Sequence, residues 1–342
     1  VEIGLDPVLV VTPEVQARAE ARGHQAKIGA KLTGFGFCNL CEMNAAKFAN
    51  LEDFIKAAKA ATFIGTLQAS YTDMPYLGWV TEEIVKRDAL LGVGMTGMMD
   101  APHIACNPEF QREVAGLVVQ WNIEFAAKMG IRSAARLCCI KPSGTSSLEL
   151  GCVASGHHPH HGERIIRRVT ADELEILFQE FKRVNPHMCV RKPDGKWVIE
   201  FPVEAPQGAL LRENVGAVEF LSMVKSTQQN WVLPGTARSE DSPGLTHNVS
   251  NTVTVRDHEW EPVSEYLWSN REFFTGVSML PYIGDKKYAF APMEAVVTRE
   301  DEKRWCALIE NYKPVDYQAF IEGEDGTDLI GEVACAGGLC LI

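Results

Sequence analysis

No apolar run in this chain approaches the roughly 20 residues that a membrane-spanning helix needs, so no membrane is expected as a partner. Basic charge is scarce: 33 Lys and Arg stand against 45 Asp and Glu, a formal net charge of -12. Nucleic-acid backbones and anionic membrane surfaces both reward basic patches, which removes them from the expected partners. The first residues carry no charged and then apolar leader. Ten cysteines without one read as reduced, catalytic or metal-bound thiols in the cytoplasm rather than as a disulfide framework. An initiator methionine is also missing; the chain opens on Val1, and the expectation is a piece of something longer.

What is present is a chain of 342 residues, 46% hydrophobic, enough to bury one large α/β core or two smaller ones. Apolar runs at 91–95, 135–141, 197–202, 248–255 and 276–282 predict strands. Amphipathic helices are predicted between them. One is capped by Asn50 and buries Leu51, Phe54, Ile55, Ala58 and Ile64; another starts at Asn107-Pro108, buries Phe110, Val114, Leu117, Val118, Trp121 and Phe125, and stops at Gly130. Thr170-Ala-Asp-Glu173 reads as a capping box for a helix to about Val184, and further helices are predicted at 215–231, 263–274 and 299–312. Strands separated by helices favour a largely parallel sheet with right-handed crossovers, open or closed into a barrel. Chemistry in such folds gathers at the carboxyl ends of strands.

Four patterns carry candidate chemistry. Lys141-Pro-Ser-Gly-Thr-Ser-Ser147 follows an apolar run; Gly144 lets backbone N–H groups converge, and three hydroxyls with the lysine could hold phosphate oxygens. It lacks the Gly-Lys-Ser/Thr ending of a Walker loop, and an ordinary strand-to-helix turn stands as the other reading. Gly156-His-His-Pro-His-His-Gly162 tempts a metal reading, but Arg164, Arg167 and Arg168 follow at once and would repel a cation. A polar loop that orients its neighbour is preferred. Cys38-Asn-Leu-Cys41 is a C-x-x-C, open to zinc, redox or chance, with no second close pair to complete a zinc ribbon. Cys138 and Cys139 should alternate across a strand. Cys106, Cys152, Cys189 and Cys306 are read as small buried apolar residues. Cys335-Ala-Gly-Gly-Leu-Cys340 follows the polar stretch Gly323–Asp328, so residues 321–342 read as a flexible tail carrying a thiol pair.

Taken in order, these segments resemble the catalytic chain of ribonucleotide reductases, and most of all the monomeric adenosylcobalamin-dependent (class II) triphosphate reductases. The resemblance rests on Cys38-Asn-Leu-Cys-Glu42, the glycine-rich run Gly92–Gly97, Lys141–Thr145, Gly156–Gly162, Ile166-Arg-Arg168, Ser278–Tyr282 and the closing Cys335–Cys340. Val1-Glu2-Ile3 is similar to the end of the family's Asn-Pro-Cys-x-Glu-Ile segment. The implied fold is α/β, residues 1–320 forming the C-terminal half of a ten-stranded barrel, with an inserted segment at about 8–34 whose Thr12–Arg22 part is helical. The radical-bearing cysteine, one reducing cysteine, half of the barrel and the allosteric region would lie upstream.

The resemblance implies roles. Glu2 would be the general base that accepts the ribose 3′-hydroxyl proton. Cys38, with an upstream partner, would supply two electrons and protons as the 2′-hydroxyl leaves as water. Cys335 and Cys340 would recharge that pair and be reduced in turn by a thioredoxin-like protein. Ser143, Gly144, Thr145 and Ser146 would hold the substrate phosphates, and adenosylcobalamin would supply the radical. A fragment without the radical cysteine would be inactive alone. Two rivals remain: a class I large chain, disfavoured because no Tyr-Tyr pair occurs, and a non-catalytic, zinc-stabilised interaction module. A class III enzyme would need a glycyl-radical motif near its end, which is not found.

Overall fold

A computed structural model of the chain describes residues 2–3 (as backbone only), 8–151, 154–238, 244–282 and 290–317. They form two compact units, one taking the chain up to His158 with Gly216–Leu280, the other Pro159–Val215 and the described residues from Pro281 on. Cys152, the 321–342 tail and its Cys335 and Cys340 lie outside the described residues.

In the first unit, β1 (Glu2–Ile3) pairs antiparallel with β4 (Phe37–Asn44), which runs parallel to β5 (Leu91–Thr96). All six residues of β5 are buried, as expected of a strand covered on both faces. Residues 135–141, predicted as a regular strand, are instead an extended segment bridged at single positions, Val93 to Cys138 and Ile140 to Val249, both parallel. Its amides alternate between neighbours: Cys139 donates to Val93, Leu137 to Gly235, Ile140 to Asn248. Val249 leads into β9 (Asn251–Val255), and β10 (Val277–Pro281) lies beside β9. The parallel expectation is met by β4, β5 and the bridges at Cys138 and Ile140, whereas β1–β4, β2–β3 and the Arg136–Thr236 bridge are antiparallel.

Helices cross over between these strands: α2 (Leu51–Ala69) and α3 (Gly78–Asp88) link β4 to β5. The single turn α4 (Pro102–Ala105) and α5 (Pro108–Met129) link β5 to the 135–141 segment. The short α6 (Gly144–Glu149) follows that segment. Later come α8 (Ala217–Thr227), extended by a wide π turn through Val232, and α9 (Trp260–Ser269). Asn50 and Asn107 accept the first-turn amides as predicted, and Gly130 closes α5 at φ 69°. The buried faces match the prediction in part: Phe54 and Ala58 of α2 and Val114 and Val118 of α5 are buried, whereas Ile64 is exposed and Ala61, Thr62, Gly65, Thr66 and Ala69 complete the packed face of α2. On α5 the buried line is Gln111, Val114, Ala115, Val118, Asn122 and Ala126. Small residues let the two helices approach closely, and the buried Asn122 amide is satisfied: it donates to Thr66 Oγ1 at 3.0 Å and accepts from the Ala134 amide at 2.7 Å.

Within residues 8–34, Thr12 caps α1 (Pro13–Ala21), and β2 (Val8–Val10) pairs antiparallel with β3 (Lys31–Thr33) on either side of it. Leu9, Val11 and Val15 pack there on Ile84 of α3.

The second unit overturns two expectations. Its sheet is wholly antiparallel, in the order β11 (Met293–Ala295), β6 (Arg164–Ala171), β8 (Trp197–Glu204), β7 (Cys189–Arg191). Thr170 is no helix cap either: it pairs with Val198 inside β6, and α7 (Ile176–Val184) begins after Glu175. The β-branched run 165–170 gains more from an eight-residue ladder with β8 than a capping box offers. Phe181 of α7 and Trp305 and Leu308 of α10 (Arg299–Glu310) bury Ile166 and Met188. Arg168 crosses the sheet, donating to Glu200 at 2.9 Å and to Glu294 at 2.5 Å. Among the described residues, no helix is long and apolar enough to cross a membrane.

Candidate active site

Alternation along β4 decides which side chains share a face. Cys38, Leu40 and Glu42 point one way, over Gly92 and Gly94 of β5; Cys41 points the other way, toward Gly65 and Gln68 of α2. Cys38 and Cys41 are therefore neither a chelating pair nor a redox pair. Burial against α2 pushes the Cys41 thiol up to about 11.

Cys38 is 3% exposed and is in backbone register with Glu2 across β1 and β4. The two residues expected as reductant and base thus lie on adjacent strands. His247, on the stretch entering β9, brings its Nε2 to 2.7 Å from the Leu91 carbonyl oxygen and 3.6 Å from Cys38 Sγ. A carbonyl only accepts, so this nitrogen carries the proton, and its N–H faces the sulfur as well. Gln228 holds this loop, donating to the His247 carbonyl and accepting from the Val249 amide. A second sulfur, Cys139, reaches the same place over Gly92: a Cβ added at Gly92 would sit 2.7 Å from Cys38 Sγ and 3.0 Å from Cys139 Sγ. The Cys38 thiol is lowered to about 5, first by a hydrogen bond from Cys139, then by His247 and Lys141, with burial opposing. Cys139 moves the other way, well above the ordinary thiol value.

Four residues along β4, about 13 Å at strand spacing, the same face reaches Glu42. Its two carboxyl oxygens are buried and meet no partner in hydrogen-bond geometry among the described residues. Burial raises this carboxyl to about 7, tempered by nearby Ser143 and Lys141.

The 141–147 loop begins at the carboxyl end of the 135–141 segment, on the same side as the carboxyl ends of β4 and β5. Ser143 adopts the left-handed region (φ 55°), its hydroxyl paired with that of Ser146, before Gly144 opens α6. Gly144 and Thr145 are exposed, while Ser147 is buried and donates back to the Gly144 carbonyl at 2.9 Å. Lys141 is committed elsewhere, donating to Asn248 Oδ1 at 2.7 Å, which removes it from the phosphate donors the sequence suggested.

The histidine-rich loop braces this one, as expected. Ser155 Oγ donates to the carbonyls of Pro142 (2.6 Å) and Ser143 (3.1 Å), and Gly156 (φ 54°) passes so close that a Cβ would lie 2.3 Å from the Lys141 carbonyl oxygen. His158 donates from Nδ1 to the Ser155 carbonyl and accepts at Nε2 from the Thr252 amide. His157 lies against Thr227 and Phe220. Burial holds His157 and His158 neutral, down to about 3 and about 4. Among the described residues, no three His, Cys, Asp or Glu side chains are placed to share a metal ion.

Sequence reasoning missed Cys139, His247 and Glu42. Strand parity could have paired Cys139 with the Cys38 face, but no local pattern announces His247. Of the expected residues, Glu2 and Cys38 come into register near the start of β4, Ser143–Ser146 lie in the loop on the side of the opposite, carboxyl ends, and Cys335 and Cys340 lie outside the described residues.

No family model matches the chain. It is 24% identical over 343 aligned positions to an adenosylcobalamin-dependent ribonucleoside-triphosphate reductase of Lacticaseibacillus paracasei, covering 89% of this chain and 43% of that protein. The Euglena gracilis enzyme of the same name is 25% identical, over 80% of this chain and 36% of its own length. A probable enzyme of this kind from Dictyostelium discoideum is 24% identical, over 87% and 38%. The chain thus spans less than half the length of these relatives. In fold it is similar to a crystal structure of a B12-dependent (class II) ribonucleotide reductase, with a TM-score of 0.61 at 20% identity, covering 81% of this chain and 41% of that one. The chain is homologous, over most of its length, to adenosylcobalamin-dependent ribonucleoside-triphosphate reductases.

Proposed function

We propose that this chain supplies the C-terminal half of the ten-stranded barrel of a ribonucleotide reductase, working with a polypeptide that provides the remainder. The observation that carries the reading is the register of Glu2 with Cys38 near the start of β4, on the strand whose carboxyl end lies on the side of the 141–147 loop. Substrate phosphates bind at Ser143, Gly144, Thr145 and Ser146, through N–H and hydroxyl donors rather than net positive charge. In this reading the ribose lies over Cys38, whose strand face reaches Glu42 roughly 13 Å further along β4, beside Ser143.

Glu2 accepts the 3′-hydroxyl proton. Cys38 and a cysteine of the other half give two electrons and two protons as the 2′-hydroxyl departs as water, and end as a disulfide. Cys335 and Cys340 return the electrons by thiolate exchange from a thioredoxin-like donor.

Adenosylcobalamin, named in the relatives, is proposed as the radical source of the whole enzyme. Two hollows among the described residues, about 470 Å³ beside Arg22 and Trp79 and about 550 Å³ beside Glu163 and Glu204, are wide open to solvent and do not enclose a corrin. No step above runs through it.

Co-production with a half ending in Asn-Pro-Cys tests the proposal by deoxyribonucleotide formation. Activity should require adenosylcobalamin and vanish in Cys38→Ser. Turnover that survives without the cofactor rejects the class, and turnover that survives Cys38→Ser rejects the assigned reductant.

A further inference from the structure

The loop that leads into β9, residues 246–250, is tied down from two sides. Gln228 opens the π turn at the end of α8 and holds one set of residues. It donates to Thr246 Oγ1 at 3.3 Å and to the His247 carbonyl at 3.0 Å, and accepts the Val249 amide at 3.2 Å. The 135–141 segment holds the alternate set. Ile140 donates to the Asn248 carbonyl and accepts the Ser250 amide, and Lys141 reaches Asn248 Oδ1.

The same π turn ties the strands under the site together, because Trp231 Nε1–H is shared between the carbonyls of Val93 (3.2 Å) and Cys139 (3.3 Å). Helical turns of this width are rare and gather at functional sites. Gln228 and Trp231 are buried, so losing either set of bonds would leave polar groups unpaired in the interior.

What this anchored loop presents is the His247 ring. Its Nε2 stands 2.7 Å from the Leu91 carbonyl oxygen, which can only accept and so keeps the proton on that nitrogen. The same N–H lies 3.6 Å from Cys38 Sγ. The sulfur rests over Gly92, where the missing side chain leaves it room.

We propose that His247 is a positioning residue for Cys38: its Nε2–H holds the sulfur in place over Gly92, and Gln228 acts on that sulfur at one remove by holding His247. An N–H donor serves a sulfur whether or not the sulfur carries its own proton, so the contact asks nothing of the two protons assigned above. The consequence for turnover rests on the reductase reading. There the sulfur has to face both the ribose and a cysteine of the other half, and a side chain free to turn about χ1 would leave both for part of the time.

Nitrogen-15 NMR of the histidine-labelled full chain at about pH 8, above the ordinary histidine range, reads the ring directly. The His247 signal is identified by its loss in His247→Gln. Its proton should sit on Nε2, and Cys38→Ala should shift that N–H signal clearly more than Cys139→Ala does. Gln228→Leu should also move it, although Gln228 touches neither the ring nor the sulfur. In the assembled reductase, His247→Phe should lower kcat about tenfold with KM within about twofold, and adding Gln228→Leu should cost nothing further. His247→Gln, which keeps an N–H near the place of Nε2, should recover part of the loss. Urea unfolding of each variant separates these effects from lost packing. A proton on Nδ1, a signal indifferent to Cys38→Ala, or additive losses in an active assembly would overturn the proposal. The NMR needs no turnover, so an inactive assembly with the expected shifts would count against the reductase reading alone.

Discussion

Glu42 offers the sharpest test of the site's electrostatics, because its cost should appear and disappear with pH. The carboxyl oxygens are buried without a partner in hydrogen-bond geometry, and burial raises the group from the ordinary 4.5 to about 7. The folded protein therefore holds this proton more tightly than the unfolded chain does. Folding is unhindered below pH 4.5, loses stability as pH rises from there through 7, and carries the full penalty above it. At about 1.4 kcal/mol for each tenfold difference in proton affinity, the penalty approaches about 3 kcal/mol. Glu42→Gln removes the charge but keeps the shape. Urea unfolding should show the variant about 2–3 kcal/mol more stable near pH 8.5 and within about 0.5 kcal/mol of the parent near pH 4.5. An equal gain at both pH values, or a loss at the higher one, would refute the claim that burying an ionised carboxylate sets the cost. The same variant should still fold with the 141–147 loop in place, since Ser155 rather than Glu42 holds the carbonyls of Pro142 and Ser143.

Other outcomes follow from the packing around the site. Gly92→Ala should cost about 1–3 kcal/mol in urea unfolding, because its Cβ would stand 2.4 Å from Leu40 Cδ2 and 2.7 Å from Cys38 Sγ; an unchanged midpoint would mean that the sulfurs do not meet there. Gly156→Ala combines a 2.3 Å approach to the Lys141 carbonyl with φ 54°, and should cost about 2 kcal/mol or more in urea unfolding. His158→Ala orphans the Thr252 amide, while the Ser155 carbonyl keeps its bond from the backbone amide of residue 158, and should cost about 1–3 kcal/mol in urea unfolding. Because His157 and His158 stay neutral when folded, the stability they contribute is whole above pH 6.5 and falls away toward about 3 and about 4; His157→Phe should flatten that acid limb, and an identical limb would show that His157 is not held neutral.

Much of the scaffold was legible residue by residue. Asn50, Asn107 and Gly130 mark helix ends because capping is a local exchange of one side chain or one left-handed residue for an orphan backbone group. The carboxyl-end rule located the 141–147 loop, since parallel strands joined by crossovers bring their carboxyl ends together, but not Cys38, which stands near the start of β4. Local signals misled where long-range pairing outweighed them. Thr170 had the neighbours of a helix cap yet belongs to β6, and on α5 only Val114 and Val118 of the predicted line are buried, beside Gln111 and Asn122, whose side-chain N–H groups find partners inside.

By itself the sequence determined which segments cap, cross over and carry thiols, because those properties depend on neighbours within a turn or two. Only the tertiary structure decided which sulfurs meet. Cys41 is three residues from Cys38 and faces α2, whereas Cys139 is a hundred residues away and reaches it over Gly92. Strand alternation separates the near pair, and sheet order unites the distant one.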